Sequence, residues 1–144
     1  EDEKRLYTRI NVKNKNKYLF DTAKKAGVNN YAKFYDYGYK GLYNGETAKQ
    51  IAKRKGINPD KEDILDYMGS TELAANLFRI TQTDEVLKNK NVNNEDDACR
   101  THHIVGQAVR QTIKKIGGTM PEKLPTPEKS IKELEKEELK KIEI

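Results

Sequence analysis

Four polar side chains of different chemistry, Glu72, Asn76, Arg79 and Thr83, stand at i, i+4, i+7 and i+11 in the segment MGSTELAANLFRITQT, residues 68–83. On a helix they form one continuous row. Beside it Leu73, Leu77, Ile80 and Leu87 recur at helical spacing, the stripe of a helix lying on a core. An acid, an amide, a guanidinium and a hydroxyl in one row can bind a protein partner through directional hydrogen bonds. They can equally satisfy one another as an internal network or form a solvated face, since polar groups beside a packed seam need partners either way. Arg110 and Gln111, on a later helical segment, join the row as candidate partner contacts.

A second set suits nucleic acid. Tyr39 and Tyr43 could stack bases while Lys40, Lys49, Lys53 and Arg54 meet phosphates. The competing reading takes Asn29 to Gly45, with Gly38, Gly41 and Gly45, as a glycine-bent connection that buries its rings against neighbouring helices. Ile51-Ala52 followed by Gly56-Ile57 resembles the first helix and turn of a helix-turn-helix. The match then fails, because Glu62 stands where an apolar anchor belongs and the helix expected from Pro59 is acidic, which phosphates would repel.

Catalytic and metal sets are sparse. One Cys and two adjacent His cannot supply the four ligands of a zinc site, and no glycine-rich phosphate loop occurs. Cys99 and His103 lie one turn apart, but no acid orients them, and Cys99 reads as a packing residue. Asp60, Glu62, Asp63 and Asp66 could gather Mg²⁺ as in a nuclease, yet acids there also simply complement a helix start. The expectation is a noncatalytic chain without cofactor.

The elements that must position these residues are helical throughout. Residues 3–26 form a polar helix closed by Gly27, and Thr47 to Lys55 a short one closed by Gly56. Ser70 is expected to cap the helix of the polar row. Asn94 caps the next, whose stripe of Ala98, His102, Val105, Val109, Ile113 and Ile116 ends at Gly117. His102 should point inward and His103 outward. The expected fold is all-α, an irregular helical domain built on an antiparallel pair at about 70–90 and 95–116, with peripheral helices at both ends. The divisions are an arm at 1–27, a core at 28–118, and a Pro-rich strap with a terminal helix at 119–144, that helix capped by Thr126 and opened by Pro127.

Charge is unevenly spread. Residues 1–58 carry 14 Lys or Arg against 6 Asp or Glu, whereas residues 59–100 carry 5 against 10. Such polarity suits a nucleic acid, an acidic protein surface, or the chain's own acidic middle. Hydrophobic and charged residues each make up 35% of the 144, so the core is modest. The lone Cys suits a reducing cytoplasm, and no apolar run is long enough for a membrane helix.

MGSTELAANLFRITQT and THHIVGQAVRQTIKKIGGTMPEKLPTPEKSIKELE, residues 101–135, strongly resemble the bacterial DNA-damage-inducible protein D family; EDEKRLYTRINVKNKNK and YGYKGLYNG are similar more loosely. In that family these segments form the carboxyl-terminal part, behind a domain resembling those of phage antirepressors. The chain, which begins at Glu1 without Met, is read as a fragment. The resemblance implies a regulatory module of the SOS response that acts on a recombinase filament or another DNA-repair protein; the basic, Tyr-rich residues give direct binding of nucleic acid, single-stranded DNA included, as the alternative. Further expectations are a homodimer through the terminal helices and no membrane partner.

Overall fold

A chain with so few large apolar side chains must reuse its interior, and it does so by threading one helix between several others. The computed structural model describes residues 1–142. Among them are α1 (Asp2–Lys25), α2 (Tyr31–Leu42), α3 (Ala48–Lys55), α4 (Ser70–Asn89), α5 (Glu95–Lys115) and α6 (Ile131–Ile142), with short 3₁₀ turns at Ile64–Tyr67 and Pro121–Lys123. The all-α architecture agrees with the sequence reading. Its pairing differs: the most extensive contacts join α2 to α5 and α1 to α4, while α4 and α5 meet less extensively. α1 is also no peripheral arm, because Val12, Leu19 and Ala23 lie in the main core.

Local chemistry explains most boundaries. Thr47 and Gln50 make a capping box on α3, whose end is closed by Gly56 at φ 74°. The Asn94 side chain accepts from the Asp97 amide and starts α5. α4 is capped differently from expectation. Gly69 occupies the cap position without a side chain to offer, and the Glu1 carboxylate takes its place, accepting from the Ser70 amide at 3.1 Å and from the Ser70 hydroxyl. That hydroxyl's bond, together with the amide's, holds the Glu1 carboxyl below its usual pKa.

Three further expectations are corrected. Residues 31–42 form a helix rather than a bent connection, because Gly38 and Gly41 serve as contact points instead of hinges. A Cβ on Gly38 would strike the His102 ring, and one on Gly41 the His103 carbonyl; on Gly106 of α5 it would come within 2.6 Å of the Gly38 carbonyl. These three glycines let α2 and α5 approach backbone to backbone. No α-helix starts at Pro59; a turn and the 3₁₀ segment Ile64–Tyr67 take its place, with Asp63 capping Leu65. α6 begins at Ile131, not at Thr126, since Ser130 and Glu133 form the reciprocal cap there. Ile131 and Leu134 are buried, and α6 docks on α1 and the 3₁₀ turn of its own chain.

Gly41→Ala should cost about 3 kcal/mol, because the obstacle is backbone and cannot rotate away. Urea unfolding checks this, and a loss under about 0.5 kcal/mol would mean that the two helices are farther apart than described.

Candidate functional site

α4 is enclosed on more than one side, and its polar row faces inward. Glu72, Asn76, Arg79 and Thr83 are each at most 1% exposed. A surface for a protein partner is therefore not what they make. The expectation fails because α4 carries two buried stripes, Leu73-Ile80-Leu87 and the polar row, where a helix on a simple pair would bury one.

The row is wired into the elements around it. Glu72 accepts from Lys55 Nζ of α3 at 2.9 Å and from the Tyr43 hydroxyl at 2.5 Å. Asn76 Nδ2 donates to the Tyr43 oxygen and to the Glu72 carbonyl, both at 3.0 Å, and its Oδ1 accepts from Arg79 at 3.1 Å. Arg79 Nη1 donates to His102 Nε2 of α5 at 2.6 Å and its guanidinium lies 4.8 Å from the Tyr39 ring centre. Thr83 donates back to the Arg79 carbonyl at 2.7 Å. Because arginine can only donate, His102 Nε2 must accept, so its proton sits on Nδ1 and is given to the Phe34 carbonyl at 2.8 Å.

Electrostatics follow from this geometry. Burial and then the neighbouring Arg79 charge push His102 well below the usual histidine pKa, so the ring is neutral. Burial, followed by the Glu72 carboxylate, pushes the Tyr43 phenol well above its usual value, and burial takes Tyr39 up to about 12. Lys55 was not singled out in the sequence, although its position four residues after Ile51 places it on the buried face of α3. Its ammonium also donates to the Tyr67 carbonyl at 3.2 Å and to Thr126 of the strap at 3.4 Å.

The remaining candidates scatter. Arg110 is held in a two-pronged pair with Glu122, at 2.7 and 2.8 Å, and reaches the Leu42 carbonyl, so it pins the strap. Gln111 is exposed. The nucleic-acid set is not assembled into a stacking surface: Tyr39 and Tyr43 are buried at 6% and 0% exposure and cannot take a base. Lys40 is half-buried near the Tyr37 ring, Arg54 pairs with Glu46 at 3.0 Å, and Lys49 and Lys53 are exposed on α3. Cys99 is buried, and that burial raises its thiol pKa, while the His103 ring turns to the Tyr37 carbonyl. Among the acids, Asp66 and Asp63 are met by Arg9 at 2.8 and 3.4 Å.

What lies open instead is an apolar groove beside the α4–α5 seam. Phe78 and Ile104 are 49% and 55% exposed, and two adjoining hollows of about 420 and 320 Å³ share Phe78, Val109 and Thr112. Its residues carried a signal in the sequence: Phe78 and Ile104 fall off the core stripes, where a large apolar side chain needs a reason.

The neutral His102 sets a pH dependence. Its folded pKa is lower than its unfolded value near 6.5, so the unfolded chain binds the extra proton and stability falls as pH drops below about 6.5. Between about pH 6.5 and 5 the slope should approach about 1.4 kcal/mol per unit, measured by urea unfolding. His102→Gln should remove most of that slope; an unchanged slope would assign it elsewhere. Lys55→Met, which strands Glu72, should cost about 3–5 kcal/mol.

Comparison with known proteins places this arrangement. The model of the DinD C-terminal domain matches residues 1–134. DNA damage-inducible protein D of Escherichia coli strain K12 is 55% identical over 138 residues, which are 94% of this chain and 50% of that protein. The chain thus spans half the length of this curated relative. No solved structure matches. A match over nearly all the described helices, from the Glu1 cap to Leu134 of α6, shows that the chain belongs to the DinD C-terminal domain family.

Proposed function

We propose that this chain is a noncatalytic protein-binding module of the bacterial DNA-damage (SOS) response, and that it works by docking an apolar segment of a recombinase filament or another DNA-repair protein. The damage-response setting rests on the family and on the name of the 55% identical relative. The observation that carries the mode of action is the open α4–α5 groove. Its rim exposes Phe78, Ile104 and Ile116, the last at 77%, and a chain with a modest core does not leave such side chains in water without cost.

The polar row has no part in this contact, for its side chains are buried and bonded to one another and to the neighbouring helices. Its role is to hold α4 in place, so that Phe78 lines the groove together with Val109 and Thr112 of α5. Lys90 is the one charged residue among those lining the two hollows, and it is basic. A partner segment with two or three apolar anchors and acidic flanks fits that setting.

Phe78→Ser combined with Ile104→Ser should weaken co-sedimentation with a recombinase filament assembled on single-stranded DNA by at least about 10-fold. Both side chains are half in water, so the melting midpoint should move by only a few degrees. Undiminished co-sedimentation of a folded variant counts against the groove. Wild-type chain that leaves the filament untouched counts against the recombinase as partner.

A further inference from the structure

We propose that a second groove, between α1 and α2, binds single-stranded nucleic acid, with Lys13 and Lys17 on the phosphates and Phe20 and Tyr35 offering ring faces to a base. This site is separate from the α4–α5 groove and does not depend on that reading. It replaces the Tyr39, Tyr43 and Arg54 set, whose rings are buried and whose guanidinium is paired.

Five observations converge on it. From Lys4 to Phe20 the chain holds six Lys or Arg and no Asp or Glu. Among the described Lys and Arg of α1, only Arg5 and Arg9 enter ion pairs, so the exposed ammonium groups of Lys13 and Lys17 are not paired with carboxylates. These two lysines border an open hollow of about 570 Å³ together with Arg9, Asn16, Phe20 and Tyr35. Phe20 is fixed from behind by stacking on Tyr31, with ring centres 4.3 Å apart, and remains 41% exposed. Finally, Asn16 lines the same hollow, and its side-chain oxygen is buried without a hydrogen-bond partner.

A single strand fits better than a duplex, because bases reach an aromatic wall only when unpaired. Two acids also border the hollow. Asp63 is held by Arg9, and Asp21 lies one turn beyond Lys17, so the backbone path runs over Lys13 and Lys17 and away from Asp21.

Fluorescence anisotropy tests this with a labelled single-stranded DNA oligonucleotide, its RNA counterpart and the matching duplex, each titrated at several salt concentrations. Binding to a single strand is expected at low salt and tighter than to the duplex, and the DNA and RNA arms show which sugar is preferred. Lys13→Gln with Lys17→Gln should reduce the slope of log affinity against log salt by about 1.4, two phosphates at about 0.7 each. Phe20→Leu should weaken binding about 10-fold with little change in that slope. Lys24→Gln with Lys25→Gln, at the far end of α1, is the control and should matter much less. No binding to any single strand, equal or tighter binding to duplex, or equal losses from both lysine pairs would overturn the proposal, the last by showing diffuse charge attraction. If Phe20→Leu unfolds, the two lysine pairs, all exposed, still decide the question.

Discussion

The Lys55–Glu72 ion pair is the contact around which this molecule is arranged. Both side chains are at most 1% exposed, so neither charge has water to fall back on, and each requires the other in place. Glu72 then ties in Tyr43 at the end of α2, and through Asn76 and Arg79 the same chain of hydrogen bonds reaches His102 on α5. One continuous polar network therefore fixes α2, α3, α4 and α5 relative to each other. Hydrophobic burial supplies most of the favourable energy, but it is not directional, and a core of Leu, Ile and Ala would tolerate several helix registers. The network does not: a slip of one turn on α4 would separate Arg79 from His102 and Glu72 from Lys55.

The chain's charge polarity acquires a physical meaning in this frame. The arginines of α1 go inward to the acidic middle, Arg5 to the carbonyls of Met68 and Asp66 and Arg9 to the carboxylates of Asp63 and Asp66. The lysines of α1 stay outside. This division follows the side chains' own chemistry, since a guanidinium spreads its charge over a rigid fork of donors and suits buried carbonyls, whereas an ammonium is strongly hydrated. Part of the positive excess thus builds the fold, and part of the remainder is left exposed on α1. Among the described residues no helix is long and apolar enough to cross a membrane.

Much of the fold could be read from periodicity and caps: α1, α3, α4 and α5 fall within a residue or two of their expected bounds, and Gly56 and Asn94 act as read. The failures share a cause. Gly38 and Gly41 look like breakers in a sequence and become contact points only when α5 is known to lie against them. The row Glu72-Asn76-Arg79-Thr83 was visible by its mixed chemistry, but whether a polar row faces in or out depends on how many helices surround it, which spacing along one helix does not encode. Lys55 was hidden inside TAKQIAKRK for the same reason. Conversely, Phe78 and Ile104 carry no polar group that marks them along the chain, and only the folded arrangement shows that they stay exposed.

The central claim is that the polar row of α4 is internal wiring, and the His102 ring reports on it most directly. Nitrogen-resolved NMR of the imidazole, followed from about pH 8 to 5, reads both tautomer and charge. The account predicts a neutral ring throughout, with its proton on Nδ1 and Nε2 unprotonated against Arg79. A ring that titrates near 6.5, or that carries its proton on Nε2, would contradict it, because neither is compatible with a guanidinium bound at that nitrogen.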